Sequence, residues 1–161
     1  MTESDYEGVL REHQPLIERV LRAYEADPSV REELAQEVAL ALWRALPSYR
    51  GEAGLRTFVA RIAHNVAVGN VRRRVRSPRS EPLSETLPDD RSAQRLEFRS
   101  DQERLVSAVR RLPLAYRQVV TLALEDFSAR EIGHALDISE GAAAVRLSRA
   151  RGLLADMMRQ E

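Results

Sequence analysis

The sequence predicts an all-α protein made of two small helical domains joined by a flexible linker, the C-terminal domain containing a helix-turn-helix. Apolar residues recur at helical spacing in seven segments, and strand-type alternation appears in none of them. Serine followed three residues later by glutamate, the capping-box pattern, recurs at Ser4, Ser29, Ser100 and Ser128. Between the helical segments lies a stretch rich in Ser, Pro and acidic residues, which is a linker composition.

These observations place an N-terminal domain at residues 1–77, a linker at 78–98 and a C-terminal domain at 99–161. A chain of 161 residues with 43% hydrophobic content is long enough to bury a core in each domain. Cysteine is absent, which excludes disulfides and thiolate metal sites. No apolar run approaches the roughly 20 residues of a membrane span, and the acidic N-terminus lacks a signal-peptide core. We therefore expect a cytoplasmic protein with no membrane insertion.

The N-terminal domain is predicted to hold three helices. They run from Tyr6 to Ala26, from Ser29 to Leu46 and from Leu55 to Arg76, with Pro15 as a possible kink in the first. Pro47 stops the second helix, Pro78 ends the third, and the loop from Ser48 to Gly54 between them holds two glycines. Each helix is expected to carry one apolar stripe: Val9, Leu16, Val20 and Leu21 on the first; Val30, Leu34, Val38, Ala41 and Ala45 on the second; and Phe58, Val59, Ile62, Val66 and Val71 on the third.

The C-terminal domain is predicted to hold four helices, running from Ser100 to Leu112, Leu114 to Glu125, Ser128 to Leu136 and Ser139 to Met158. The tight break at 136–138 makes the last two a helix-turn-helix, whose second helix enters the DNA major groove. At 100° per residue its inward stripe is Ala143, Leu147, Ala150, Leu154 and Met157. Its outward face is Gly141, Ala142, Val145, Ser148 and Arg149, flanked by Arg146 and Arg151. The alternative is an ordinary helical hairpin with solvated arginines, and Val145 is either a surface residue or a thymine-methyl contact.

Charge is distributed unevenly although the net charge is zero. Residues 53–80 carry seven arginines and no acidic residue, whereas residues 1–52 and 81–103 are each net acidic. Basic and amide side chains on the third helix follow the aromatic-bearing loop Tyr49-Arg50-Gly51: Arg56, Arg61, Asn65, Arg72 and Arg73. Arginines beside an aromatic ring suit backbone phosphate and an unpaired base, while the alternative is a solvated helix end.

A second, mixed face on the second helix consists of Glu33, Gln36, Glu37 and Leu40. This composition suits a protein partner, and the alternative is a solvated acidic surface. Trp43 lies beside this face, and we expect it in the core.

No catalytic or metal-binding constellation is visible. His13, His64 and His134 lie on different predicted helices without ligand-type or triad spacing, and no glycine-rich phosphate loop is present. The sequence predicts a protein that is not an enzyme and has no cofactor or metal.

Two ordered sets of motifs resemble a known family. The first set resembles region 2 of bacterial RNA polymerase sigma factors, and it comprises residues 31–43 (REELAQEVALALW), 49–52 (YRGE) and 55–65 (LRTFVARIAHN). The second set resembles region 4 of these factors, and it comprises residues 112–120 (LPLAYRQVV), 127–133 (FSAREIG), 138–141 (ISEG) and 146–151 (RLSRAR). The chain is identified as a member of the sigma-70 family, and the absence of further regions indicates the extracytoplasmic-function (ECF) type.

The resemblance implies roles for individual residues. Glu33, Gln36 and Glu37 would bind the clamp helices of the largest subunit of core RNA polymerase. Tyr49 and the loop 50–54 would capture a flipped base of the minus-ten element, with Arg61 and Asn65 lining that site. Region 4 would sit on the polymerase flap and read the minus-thirty-five element with the helix from Ser139.

The resemblance also implies an anti-sigma factor as partner, a chain that is monomeric when free, and a stress or envelope-signal regulon. Where the family's recognition helix has Thr-Val-Lys-Ser, this chain has Ala at 142–144 and Val145. Recognition of the minus-thirty-five element would therefore depend on Arg146, Ser148, Arg149 and duplex shape. The alternative to a sigma factor is a conventional helix-turn-helix regulator that binds two half-sites as a dimer, which leaves the N-terminal domain unexplained.

Overall fold

The structure is a computed structural model that describes residues 2–76 and 100–160, and within those ranges the regular secondary structure is entirely helical. Three α-helices belong to the N-terminal half: α1 (Glu3–Arg22), α2 (Pro28–Ala45) and α3 (Leu55–Arg76), with a 3₁₀ turn at Leu46–Ser48. Four belong to the C-terminal half: α4 (Asp101–Arg111), α5 (Leu114–Ala123), α6 (Ala129–Leu136) and α7 (Glu140–Arg159). The all-α prediction is confirmed, while the predicted linker at 78–98 lies outside the described residues.

Side-chain caps fix where the helices begin. Ser100, Ser128 and Ser139 each accept a backbone N–H from the third residue of the following helix, as the sequence predicts. The expected caps at Ser4 and Ser29 are wrong. Thr2 caps α1 through a capping box with Asp5, and Asp27 caps α2 with proline at the first helical position.

Helices α1, α2 and α3 pack into a bundle whose core is aliphatic. The buried side chains are Leu16, Ile17, Val20 and Leu21 of α1, Leu34, Val38 and Leu42 of α2, and Val59, Ala60, Ala63 and Ala67 of α3. Most of the predicted stripes are confirmed, but on α3 the small residues are innermost, while Phe58, Ile62 and Val66 are half-buried. The placement of Trp43 in the core is wrong, because 49% of this residue is exposed.

Several predicted helix ends also require correction. Helix α1 ends at Arg22 rather than Ala26, and Pro15 lies inside it without ending it. The chain then turns through a buried segment that contains Tyr24. Helix α5 ends at Ala123 rather than Glu125, and the following turn holds Asp126 in the left-handed region at φ 66°.

Helices α6 and α7 form the predicted helix-turn-helix. Asp137 ends α6 in the left-handed conformation, with φ 59° and ψ 47°. The turn brings the backbone of α7 so close to Gly133 that a Cβ atom there would lie 2.7 Å from the carbonyl oxygen of Ile138. The inward stripe of α7 is confirmed, since Ala143, Leu147 and Ala150 are buried and Leu154 and Met157 are half-buried. A glycine at 133 is therefore what allows the two helices to approach.

The two halves pack against each other. Helix α3 contacts α6, and the buried apolar residues of both halves form one contiguous cluster. Between them lies Tyr24, whose ring centre is 5.7 Å from the guanidinium carbon of Arg117 on α5. This packing brings residues of the C-terminal half onto the surface of α3 that carries the predicted minus-ten residues.

Candidate nucleic-acid interface

The second helix of the helix-turn-helix presents a solvent-facing N-terminal surface. Ser139 caps α7 through its hydroxyl oxygen, which accepts the N–H of Ala142 at 3.0 Å. Val145 is 53% exposed, Ser148, Arg149 and Arg151 are exposed, and Arg146 is half-buried. This surface combines arginine donors, which suit phosphates and guanine edges, with an apolar group able to meet a thymine methyl.

The loop between α2 and α3 is held in shape by Tyr49. Its hydroxyl donates to the carbonyl oxygen of Ala53 at 2.6 Å, and its ring packs against Phe58 with centroids 4.9 Å apart. Gly51 occupies the left-handed region at φ 80°, which favours glycine. Tyr49 is therefore half-buried and fastens the loop, rather than standing free as a stacking platform.

A cleft of about 320 Å³ opens beside this loop. Its lining includes Ser48, Tyr49, Arg50, Glu52, Ala53, Thr57, Phe58 and Arg61 from the N-terminal half, together with His134 from α6. It combines aromatic, cationic and hydroxyl groups, which suit a nucleobase and its phosphate. No sequence pattern indicated that His134 would take part in this wall.

The predicted minus-ten residues of α3 are all exposed. Three of them, Arg56, Arg61 and Arg73, also contact groups within the molecule. Arg56 lies 3.6 Å from Glu125, Arg61 reaches the carbonyl oxygen of His134 at 3.5 Å, and Arg73 lies 3.8 Å from Glu37.

The mixed face of α2 is solvent-facing. Glu33, Gln36, Glu37 and Leu40 are all exposed, and Leu40 is 49% exposed. Trp43 continues this face and rests edge-on against the Tyr6 ring at 5.0 Å between centroids. The Tyr6 hydroxyl donates to the carbonyl oxygen of Ala39 at 2.7 Å, which holds the aromatic pair against α2.

A buried polar pair joins α3 to the segment that follows α1. The Tyr24 hydroxyl is 2.9 Å from Nδ1 of His64, and Nε2 of His64 is buried without a hydrogen-bond partner among the described residues. Burial, with a smaller contribution from the charge of Arg72, lowers the pKa of His64 from 6.5 to about 4. Burial likewise raises the pKa of Tyr24. Both groups are therefore neutral at pH 7, and the pair is a structural element of the core.

Within residues 2–76 and 100–160, no group of three or more His, Asp or Glu side chains is arranged to hold a metal ion. No helix there has the length and apolar character needed to cross a bilayer.

A three-helix bundle with an exposed acidic and apolar helix face, followed by a helix-turn-helix with a solvent-facing second helix, defines a two-part DNA-binding protein. The family model "Sigma-70 region 2" matches residues 9–77, and "Sigma-70, region 4" matches residues 102–154. The chain belongs to the sigma-70 family, as a sigma factor of the ECF type. It binds core RNA polymerase and directs promoter recognition in transcription initiation. The region 2 match is not expected of a conventional dimeric regulator.

Relatives agree with this assignment. The chain is 27% identical to the ECF RNA polymerase sigma factor SigM of Mycobacterium tuberculosis over 95% of this chain and 76% of SigM. It is 28% identical to the RNA polymerase sigma factor SigZ of Bacillus subtilis, covering 91% of this chain and 82% of SigZ. It is 30% identical to the RNA polymerase sigma-H factor of Pseudomonas aeruginosa, covering 78% of this chain and 71% of the sigma-H factor.

Two solved structures share the fold. CnrH in complex with the cytosolic domain of CnrY matches at a TM-score of 0.73 and 20% identity, covering 99% of this chain and 91% of CnrH. The sigma factor RpoE from Bartonella quintana, in complex with the anti-sigma factor NepR, matches at a TM-score of 0.75 and 18% identity, covering 96% and 97%. The likeness extends over both helical halves.

Proposed function

We propose that the mixed face of α2 is the surface that binds the clamp helices of core polymerase. Glu33, Gln36, Glu37 and Leu40 are all exposed on this face, so that two carboxylates and an amide lie next to an apolar group. Protein interfaces concentrate their binding energy in such apolar centres, and the surrounding charges give orientation and specificity. This exposed face on a buried-core helix is the observation that carries the proposal.

The minus-ten element would bind along the loop and α3. Tyr49 and Arg50 border the cleft, while the other side chains extend from it along α3: Arg56, Arg61, Asn65, Arg72 and Arg73. A base displaced from the duplex would enter the cleft and its phosphates would follow the arginines. Because the Tyr49 hydroxyl is already bonded to Ala53, we assign Tyr49 the role of shaping the pocket wall.

The minus-thirty-five element would be read by α7. The base-facing residues would be Val145, Arg146, Ser148 and Arg149, and the exposed Arg151 would contact the phosphate backbone. Ser139 places its hydroxyl at the helix N-terminus, where the backbone N–H groups favour a phosphate. With Ala at 142–144, this surface offers few hydrogen-bond donors, so duplex shape contributes to selectivity.

Further properties follow from membership of the family. We infer a partner of the anti-sigma class, because both solved neighbours bind such a protein or the cytosolic domain of a second protein. We also infer contact of region 4 with the polymerase flap, a monomeric chain when free, a cytoplasmic location, a stress or envelope-signal regulon, and no catalytic activity or cofactor. The division into domains at 1–77 and 99–161 with a linker at 78–98 remains our proposal, which limited proteolysis tests.

The experiment that tests the polymerase surface is a titration of labelled chain with sigma-free core polymerase, read by fluorescence anisotropy. The double variant Gln36→Ala/Glu37→Ala should weaken binding at least about tenfold, which corresponds to about 1.4 kcal/mol. Gln14→Ala/Glu18→Ala is the matched control, since it removes the same residue types from the exposed surface of α1. The assignment of the α2 face would be contradicted if both double variants lost polymerase affinity equally, or if neither lost any.

A further inference from the structure

Tyr116 on α5 has a hydroxyl group that the fold itself does not use. The hydroxyl groups of the chain's other three tyrosines, Tyr6, Tyr24 and Tyr49, are hydrogen-bonded inside the molecule at 2.7, 2.9 and 2.6 Å. The Tyr116 hydroxyl has no such partner among the described residues, and its oxygen is not buried. Tyrosine combines an apolar ring with a polar tip that pairs with a neighbour. This hydroxyl is therefore free to bond a molecule that arrives from outside.

The ring that carries this hydroxyl is fixed in place. Tyr116 is half-buried and packs against the apolar core. It lies in the first turn of α5, where its backbone N–H donates to the carbonyl oxygen of Pro113 at 3.0 Å. A side chain that is already packed loses little conformational freedom when its hydroxyl gains a partner. Tyr116 thus presents a pre-positioned hydrogen-bond donor.

The ring borders the outward face of α7. A shallow depression of about 470 Å³ is lined by Tyr116, Gly141, Ala142, Val145, Arg146 and Arg149. Positions 142, 145, 146 and 149 recur at helical spacing and so share one face of α7. Among the described residues that line the depression, two are arginines and none is acidic. One phenol and two guanidinium groups beside an apolar surface suit an anion.

The position of Tyr116 indicates which part of a DNA duplex it would meet. The major groove is about 12 Å wide and an α-helix with its side chains fills it, so a group beside that helix meets the phosphates that border the groove. Tyr116 belongs to α5 and lies beside α7 rather than on it. Tyrosine hydroxyls are among the side-chain donors that contact phosphate oxygens in protein–DNA complexes.

The outward face of α7 is poor in donors at the place where Tyr116 adjoins it. Alanine at 142–144 and Val145 contribute no polar side chain there, and the hydroxyl oxygen of Ser139 already accepts the N–H of Ala142. The Tyr116 hydroxyl therefore supplies a donor that this part of α7 lacks.

We propose that Tyr116 is a DNA-contacting residue of the minus-thirty-five site and that its hydroxyl donates to a phosphate oxygen of the duplex held by α7. The proposal rests on the reading of the minus-thirty-five element by α7 proposed above. A phosphate contact fixes the register of a helix in the groove without reading a base. Tyr116 accordingly adds affinity to all sequences alike and leaves base preference to α7.

The test uses holoenzyme reconstituted from this chain and core polymerase. A pool of randomised duplexes is selected with the wild-type holoenzyme, and one selected duplex, labelled with fluorescein, is the probe. Tyr116→Phe removes only the hydroxyl and should weaken binding about tenfold, the usual value of a hydrogen bond to a charged group. Because tyrosine is uncharged, the salt dependence of the affinity should keep its wild-type slope.

Two variants are controls. Thr121→Val removes a buried hydroxyl from the same helix, one that bonds the carbonyl oxygen of Arg117 and does not border the depression, so the affinity should stay unchanged. Arg149→Gln removes a proposed base contact and should weaken binding whatever Tyr116 does. A loss in Arg149→Gln with none in Tyr116→Phe overturns the Tyr116 contact alone, whereas no loss in either also overturns the assignment of α7.

Replacing single phosphates of the selected duplex by neutral methylphosphonate locates the contact. At one position the affinity loss should be about tenfold smaller for Tyr116→Phe than for the wild type, because the variant has no bond left to lose there. Equal losses at every position overturn the proposal, as does a changed base sequence when Tyr116→Phe holoenzyme selects from the pool. The melting temperature of Tyr116→Phe should equal that of the wild type, and a lower one would assign the hydroxyl to the fold instead.

Discussion

Replacing Gly133 with alanine tests the close approach inside the helix-turn-helix. In an unconstrained helix this change would stabilise the protein by about 1 kcal/mol, because alanine is the better helix former. Here the new Cβ would lie 2.7 Å from the carbonyl oxygen of Ile138 and 3.4 Å from two further backbone atoms of the turn. Backbone cannot rotate away as a flexible side chain can, so α6 and α7 must separate.

Because the clash is with backbone atoms, we take the upper part of the range for overpacking, about 2–3 kcal/mol, and after subtracting the helix-propensity gain of about 1 kcal/mol we expect a net loss of roughly 1–2 kcal/mol. At about 2–4 °C per kcal/mol for a chain of this size, the melting temperature should fall by roughly 2–8 °C. Circular dichroism on heating, together with urea unfolding, measures the change.

Gly152→Ala on α7 is the matched control, because a Cβ there meets no atom within 4 Å. It should leave the melting temperature unchanged or raise it. The argument is refuted if Gly133→Ala is as stable as the wild type or as stable as Gly152→Ala, since the turn would then accommodate the methyl group at no cost.

Two further predictions concern the N-terminal half. Because the pKa of His64 falls from 6.5 to about 4 in the folded state, the unfolded chain takes up a proton first, and the free energy of unfolding should fall by about 3 kcal/mol between pH 7 and 4. Urea unfolding against pH should show a shallower fall in His64→Gln, and parallel curves would contradict the assignment. Trp43→Ala should weaken core polymerase binding about tenfold, while lowering the melting temperature less than Leu42→Ala, whose side chain is fully buried; the reverse order would return Trp43 to a core role.

The serine caps show what local sequence could and could not specify. Ser100, Ser128 and Ser139 were correct, and the aspartates two residues before Ser128 and Ser139 do not compete because Asp126 and Asp137 are in the left-handed region rather than the extended conformation of an N-cap. Ser4 and Ser29 failed because Thr2 and Asp27 stand two residues earlier and cap equally well, and Pro28 favours the first helical position. The capping-box spacing does not by itself identify the cap, because Asp27 and Ser139 cap their helices without one.

Trp43 was misplaced although the sequence contained the information to place it. It lies three residues after Leu40 and seven after Gln36, which puts it on the same side of α2 as the proposed polymerase face. Its expected burial rested on its large apolar side chain rather than on that periodicity. An exposed tryptophan next to an exposed leucine, on a face that otherwise carries carboxylates and an amide, is typical of the centre of a protein interface.

The pairing of Glu125 with Arg19 and Arg56 could not be predicted, because helical periodicity specifies faces but not which distant face will meet them. A guanidinium group satisfies a carboxylate and a phosphate with the same planar donors, so a sequence that favours phosphate binding equally favours an internal acid. The arginine pattern alone specifies donors of this shape, and only the packing of the two halves decides that Arg19 and Arg56 meet Glu125.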